Sequence, residues 1–523
     1  QSIPLFEYDL APYVAKSYSK HVGRVMEICL RKEKMEFSGI RALCDDIYSN
    51  RNTVLDAEAQ EQIKNYVETF LHNEGDKNAK SDATYVIDES LKLTERETYQ
   101  AMEALIHNLN SMQSRAGAQV PFSSINYGTG TTAEQRMIMK NVLLATDAGL
   151  GGGETPIFPV QIFKVKDGIN TKKGDPNYDL FELACKVSAK RLFPNFSFLD
   201  APFNIKYYKK GHPETEVALM GCRTRVVSND FDKTKEVIPG RGNLSFTSVN
   251  LPRLGIEAHG SISKFYDSLD RTFSMVFEQL MDRFNIIAQK RVLNYPFLMG
   301  QGIWIGSDKL EPDDCIEHII KHGTMSVGFI GLAETLKALC GKHHGESSEA
   351  NELGMEIVRH MRALTDRHTL ETGLNFSLFS TPAEGLSGRF VKIDKKLYGK
   401  ISGVTDRAYY TNSFHVPVYY DISAADKIKI EGPYHELCNA GSISYVELDG
   451  DLTKNIEAFE KVVLYMKECG VGYGSVNHPV DRCPVCNYVG VINDVCPRCG
   501  RKDGEGITIE HLRRLGVDCN CFD

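Results

Sequence analysis

A strand, a glycine turn and a helix follow one another over residues 120–134, and this order constrains the fold of the chain more than any other feature. Val120-Pro-Phe-Ser-Ser-Ile-Asn-Tyr127 reads as a strand, Gly128-Thr-Gly-Thr-Thr132 as a turn, and a helix starts near Glu134. Strand, turn and helix in that order form the βα unit of a parallel sheet. The alternation continues downstream. Residues 155–166 read as a strand and 179–190 as a helix, and 216–227 and 243–251 as two more strands. Residues 262–290 predict a long helix with Phe265, Leu269, Phe273, Val276, Leu280 and Phe284 on one side. Helices are expected at 331–341, 349–365 and 452–469, the last stopped by Gly470. Upstream, 5 to about 45 and 96–113 read as helical. The expected class is α/β, with 1–478 as one unit and a separate small module from 479.

Composition narrows the function. Of 523 residues, 42% are hydrophobic and 25% charged, as in ordinary water-borne proteins. No stretch is long and apolar enough to span a membrane, and no signal-peptide pattern is seen. A net charge of −8 gives no footprint for a nucleic-acid backbone, so neither a membrane nor a nucleic acid is expected as a partner. Eight cysteines lie singly outside the tail, the distribution of thiols in a reducing compartment, so a cytoplasmic location is expected. The chain opens at Gln1 and runs at once into patterned sequence, which suggests a start upstream.

The tail carries Cys483-Pro-Val-Cys486 and Cys496-Pro-Arg-Cys499. Two Cys-x-x-Cys knuckles nine residues apart can wrap a tetrahedral zinc with four thiolates; the competing reading is a pair of redox dithiols. A closed structural zinc site is expected, and by itself it names no function. Cys222, after Gly221, reads on its own as a buried core thiol. Gly128–Thr132 has the look of a phosphate turn but is a weak signal alone. His343-His344 could suggest metal, but adjacent side chains diverge, and solvent exposure is expected.

Longer motifs change this weighting. Met220-Gly-Cys222-Arg, Gly240-Arg-Gly-Asn243-Leu and Val249-Asn-Leu-Pro-Arg253 resemble the catalytic subunit of anaerobic (class III) ribonucleotide reductase. Phe122–Thr129, Glu154–Pro159, Lys190–Phe196, His322–Glu334, Thr381–Phe390 and Tyr409–His415 resemble the same family in the same order. The zinc module also fits the family's C-terminal region. The resemblance implies a ten-stranded α/β barrel into which a loop carries one cysteine, here Cys222. That thiol would form a transient thiyl radical and remove the 3′ hydrogen of a ribonucleoside triphosphate. Asn243 matches the active-site amide of the formate-using branch, with Asn250 as the alternative, and Met220 would line the pocket. Thr381, Pro382, Ala383, Glu384, Gly385, Leu386 and Ser387 would form the substrate loop, where small residues and free N–H groups before a helix suit a triphosphate. The resemblance further implies formate as reductant, dNTP and ATP effectors, a homodimer, and a radical-SAM iron–sulfur activase that installs a glycyl radical. The implied layout is a barrel domain over 1–478, with 1–45 as a helical dimer and effector region, a zinc module over 479–505 and a tail over 506–523.

Three family features have no match in this sequence: an N-terminal ATP-binding domain, an upstream active-site cysteine, and an Arg-Val-x-Gly-Tyr radical motif. The nearest string, Arg513-Arg-Leu-Gly516-Val517, is one residue short and lacks the tyrosine. Cys519 and Cys521 form a candidate redox pair. Two rival readings follow: a nucleotide-binding paralogue without turnover, and a different glycyl-radical enzyme. The single cysteine between Gly221 and Arg223 argues against the second, since acyl-cleaving relatives carry two adjacent cysteines.

Overall fold

The computed structural model describes residues 2–32, 35, 37–114, 117–479, 481–486, 488–490, 492, 494–502 and 504–516. Gln1, Val517, Cys519 and Cys521, all singled out above, lie outside them. The chain folds as two compact units. One comprises Gln1–Pro4, Asn195–Glu447 and Lys461–Val476; the other comprises Leu5–Pro194, Leu448–Glu460 and Asn477–Asp523. The expected 1–478 segment is thus distributed over both, and the cysteine module groups with the second.

In the first unit three parallel strands, Asn243–Asn250, Thr324–Ile330 and Asn375–Ser380, form one sheet. Ser326 lies opposite Phe246 and Ser377; Val327 lies opposite Thr247 and Leu378. Period-two alternation therefore sorts the residues into two faces. Met325, Val327, Phe329, Phe376 and Leu378 join the apolar core under helices Ile262–Ala288 and Ser348–Thr372. The first of these helices buries the predicted stripe Phe265, Leu269, Phe273, Val276, Leu280 and Phe284, and Ser261 caps its start by accepting from Lys264 N. The opposite face mixes Asn243, Ser248, Thr324, Ser326 and Ser377 with Phe246 and Phe379, and it carries the candidate site. Strands Asn195–Phe198, Tyr473–Asn477 and Ser444–Glu447 form a second group, with Tyr473 antiparallel to Ser197.

In the second unit the predicted strand–turn–helix is present. Strand Ser124–Tyr127 runs parallel to Val160–Val165. Helix Ala133–Ala148 starts with a capping box in which Thr132 and Gln135 satisfy each other's backbone N–H. The expected helical run over 5–45 is two helices, Phe6–Leu30 and Ser38–Arg51, separated where Arg31 turns to a φ of 51°. They pack with Ala57–Asn73 and Ala79–Ser111 around Tyr18, Val22, Ile63, Val67 and Val86.

Two further expectations are corrected. Residues 216–227 do not form one strand. They make a hairpin of Leu219–Met220 and Thr224–Arg225, because Gly221 takes a φ of 60° and reverses the chain. His343 and His344 are each 1% exposed, not solvent-facing. His344 Nε2 bonds Phe414 O at 2.8 Å, and the His343 ring meets Tyr420 edge-on at 4.7 Å. With such partners both rings belong to the interior, and among the described residues only the four tail cysteines cluster as metal ligands.

Candidate functional site

Cys222 sits at the middle of the three-residue hairpin loop Gly221-Cys222-Arg223 and is half-buried, unlike a plain core thiol. Three contacts tie the hairpin down. Arg225 N bonds Ala440 O at 2.7 Å, Ala440 N bonds Leu378 O at 2.9 Å, and Ser380 N bonds Gly441 O at 3.1 Å. A side chain at position 441 would run into the Arg223 carbonyl, so this packing requires glycine there. The loop is thereby fixed to the end of the Asn375–Ser380 strand, and Met220, half-buried, lies beside it.

Asn243 opens its strand on the sheet face that carries Ser326 and Ser377. Its Nδ2 donates to Thr324 Oγ1 at 3.0 Å and to Ser326 Oγ at 2.7 Å. Ser326 Oγ in turn lies 3.0 Å from Ser377 Oγ. One hydrogen-bonded row thus crosses all three strands. Further along that face, Ser248 Oγ and Thr381 Oγ1 are 2.8 Å apart, above Gly328. A Cβ at 328 would collide with Thr381 Oγ1, so glycine there lets the loop fold onto the sheet.

Thr381, Ala383 and Ser387 are buried, and Glu384 starts helix Glu384–Tyr398 with a φ of 39°. No side chain caps this helix, so its first turn presents backbone N–H groups. Ala383 N donates to Asn412 Oδ1 at 3.0 Å. Glu384 and Ser387 line a cavity of about 170 Å³ together with Thr411, Asn412, His415, Lys427, Tyr445 and Glu447. Burial opposes the charge of Lys427, but Glu431 and Glu447 more than offset this and hold its pKa above the usual value. Burial keeps His415 and His435 below the usual histidine range, His435 at about 3. Both rings are therefore neutral. Arg223 reaches the same region: its Nη1 is 3.5 Å from Thr381 O and its Nη2 3.2 Å from Tyr445 Oη. Cys222, Thr381 and Ser248 are thus linked through Arg223, while Asn243 lies on the same strand as Ser248 with its own hydroxyl partners.

Asn250 stands apart. It donates to the buried Asp394 at 2.7 Å and caps helix Leu251–Glu257, so it acts as a structural amide. The Gly128 turn also has an occupant. Glu7 Oε1 accepts from the backbone N–H groups of Gly128, Thr129 and Gly130 at 3.0, 3.1 and 3.1 Å. Burial pushes the Glu7 carboxyl upward, against the pull of Lys164 and these N–H groups. The turn has the geometry of an anion nest, but its N–H groups are already taken by the chain's own carboxyl. Residues not singled out from the sequence are Ser248, Ser326, Ser377, Asn412, Lys427 and Tyr445. Ser326 and Asn412 stood inside the His322–Glu334 and Tyr409–His415 motifs, whereas no pattern marked the others.

In the second unit, Cys483, Cys486, Cys496 and Cys499 are buried, with ligand atoms all within 4.8 Å of one another. Sγ atoms lie 3.5 Å apart for Cys483 and Cys499 and 3.6 Å for Cys486 and Cys496. The edge of a tetrahedron with zinc–sulfur bonds of 2.3 Å is about 3.8 Å, whereas a disulfide needs about 2.05 Å. The donor set therefore fits one tetrahedral zinc and no disulfide. One knuckle stands on the hairpin pairing Asp481 with Gly490; the other is closed by the Val495–Lys502 bridge. Leu515, after helix Ile509–Arg514, packs against the cluster. Gly516 follows that helix with a φ of 75° and donates to Arg513 O at 3.0 Å, a helix-stop geometry.

Solved structures with the same fold define the class first. An anaerobic ribonucleotide reductase aligns over 94% of this chain and 81% of its own, with a TM-score of 0.58 and 15% identity. The Thermotoga maritima anaerobic ribonucleotide reductase in complex with dATP and CTP aligns over 94% and 86%, with a TM-score of 0.56 and 15% identity. At that identity the likeness shows the fold, that of the anaerobic ribonucleotide reductases. The sequence then shows the family. Residues 1–516 match the anaerobic ribonucleoside-triphosphate reductase family, and the chain belongs to it. A relative from Salmonella typhimurium, "Anaerobic ribonucleoside-triphosphate reductase", is 35% identical over 425 residues, covering 80% of this chain. The chain spans 58% of that relative's length.

Proposed function

We propose that this chain is the catalytic part of an anaerobic reductase that converts ribonucleoside triphosphates to 2′-deoxyribonucleoside triphosphates. The observation that carries the reading is Cys222 at the tip of a pinned hairpin, joined through Arg223 to Thr381 at the start of an uncapped helix. An unactivated C–H bond does not yield to acid–base chemistry, so the reaction needs a one-electron species in a shielded site. A glycyl radical, installed by a radical-SAM activase, would supply the oxidising equivalent that makes Cys222 a thiyl; no glycine of this chain is assigned that role.

Cys222 takes the 3′ hydrogen, breaking C–H and forming S–H, and the 2′ hydroxyl departs as water. Formate supplies two electrons and leaves as carbon dioxide. Asn243, held by Thr324 and Ser326, offers its amide to the ribose hydroxyls or to formate. Met220 lines the same pocket. Thr381, Pro382, Ala383, Glu384, Gly385, Leu386 and Ser387 hold the triphosphate at the helix N-terminus. Zinc on the four tail cysteines is structural. Effector dNTPs and ATP are assigned to the region of helix Phe6–Leu30, where Lys16, Lys20, Arg24 and Arg41 line a groove of about 770 Å³. That helix is also the proposed dimer contact.

The test uses the full-length protein, activated anaerobically. Cys222→Ser abolishes dNTP formation while leaving nucleotide binding within twofold; dNTP formation at the wild-type rate would refute the thiyl assignment. Omitting formate, with no dithiol present, stops turnover; unchanged turnover refutes the formate assignment.

A further inference from the structure

Arg223 is a buried charge with no counter-charge among the described residues. It follows Cys222 on the hairpin loop and is 3% exposed. Its two hydrogen bonds, to Thr381 O at 3.5 Å and Tyr445 Oη at 3.2 Å, reach neutral groups and are long. Its Nε is buried without a partner. The Tyr445 ring lies 5.8 Å from the guanidinium carbon. Among the described residues no carboxylate pairs with it.

Arg225, 6% exposed, is also thinly supplied, with Nη2 on Phe203 O at 2.8 Å and Nε without a partner, but two other arginines of this unit are better satisfied. Arg253 holds Asp394 through Nε and Nη2 at 2.8 and 2.6 Å. Arg241 donates to four backbone carbonyls, those of His322, Val227, Val237 and Ser228. Leaving a guanidinium in the interior with so little is costly, and the cost is removed when an anion joins it. The unanswered charge is felt nearby: after burial, Arg223 is among the cations that keep His415 and His435 neutral.

A planar fork of donors suits two oxygens on one atom, as in a carboxylate or a phosphate. We propose that Arg223 binds the paired oxygens of a small anion beside Cys222. The inference rests on the reductase reading, which offers two sources of that chemistry. One is formate, which must approach the Cys222 region to deliver its electrons. The other is the phosphate chain of the nucleotide, brought to Thr381 by the loop that Arg223 already touches. An arginine that merely braced the hairpin would have no ligand of its own.

The experiment compares wild type, R223Q and R223K as full-length, unactivated proteins, so that no radical chemistry enters. Binding of ¹³C-formate is read by NMR line broadening, and binding of a radiolabelled ribonucleoside triphosphate by equilibrium dialysis. R223Q is expected to weaken one of the two on the order of ten- to a hundredfold, the loss typical of a charge-assisted bond. R223K, which keeps the charge but not the fork, recovers part of it. Loss in the formate arm assigns a carboxylate site, and loss in the nucleotide arm assigns a phosphate site. Both affinities within twofold of wild type overturn the proposal. If R223Q fails to fold, R223K decides alone: it must weaken one ligand severalfold, and two unchanged affinities overturn the proposal. A wild type that binds nucleotide yet forms no dNTP after activation sinks the reductase reading instead, while the binding data still judge Arg223.

Discussion

Arg253 grips Asp394 with two donors on one carboxylate oxygen, Nε at 2.8 Å and Nη2 at 2.6 Å. Asp394 is fully buried, and its other oxygen accepts from Asn250 at 2.7 Å and Tyr410 at 3.0 Å. It lies on helix Glu384–Tyr398, whereas Asn250 ends the Asn243–Asn250 strand. The cluster therefore binds the helix that follows Thr381 to the sheet. Asp394→Ala would leave a guanidinium and two polar groups without their acceptor. Arg253 keeps 33% of its side chain exposed and can take water, so a loss of about 2–3 kcal/mol of stability is expected, mainly from Asn250 and Tyr410 losing their acceptor, read from urea unfolding. A loss below about 1 kcal/mol, the worth of an exposed pair, would contradict this role.

The buried histidines set the acid limit of stability. His344 and His435 are held neutral by burial, each with a pKa lowered from 6.5 to about 3. In the unfolded chain both take up a proton near pH 6.5. Because the folded values are depressed, their contribution is present above 6.5 and is lost as pH falls toward 3. The slope is about 1.4 kcal/mol per pH unit for each ring. Unfolding midpoints measured between pH 7.5 and 5 should fall with acid, and His344→Gln should flatten that fall. An unchanged slope would show that His344 is not the group responsible.

Zinc removal should act locally. The cysteines draw together Asp481–Arg482, the Val495–Lys502 bridge and Leu515. Metal analysis should find one zinc per chain, and Cys496→Ser should release it. Trypsin should then cut within 481–516 at least tenfold faster than in the metal-loaded protein, because metal binding is folding energy for so small a module. Equal cleavage with and without metal would mean that the hairpins hold themselves.

Gly328 offers a test of the proposed substrate loop away from any reacting atom. Gly328→Ala places a methyl on Thr381 Oγ1 and close to Ser248 Oγ. The loop must lift, so KM for the nucleotide should rise several-fold, with kcat less affected and the circular dichroism spectrum kept. An unchanged KM would remove Thr381 from the binding surface.

Much of the architecture could be read before any coordinates. The 262–290 stripe predicted a helix and its buried face because a 3.6-residue period survives one-sided burial. The strand–turn–helix over 120–134 was equally plain. Thr324–Ile330 and Asn375–Ser380 were not, because every residue of both is buried and no alternation remains to be seen. The Cys222 segment read as one strand because its apolar run hides a turn that depends on a single glycine. The histidine pair misled for another reason. Its burial is secured by Phe414 and Tyr420, some 70 residues on, and spacing carries no trace of such partners. Arg223 stood inside a quoted motif, but its lack of a counter-ion is visible only in three dimensions.

The Glu7 contact with Gly128–Gly130 carries a wider consequence. Its three donors converge on one oxygen, and a Cβ at Gly128 would lie 2.5 Å from Lys164 O and 2.8 Å from Lys164 N. The geometry is that of a receptor, yet the guest is tethered to the host 121 residues away. A free phosphate would have to displace a ligand whose local concentration never dilutes. A glycine pattern thus advertises a vacancy that the fold has already let to a permanent tenant.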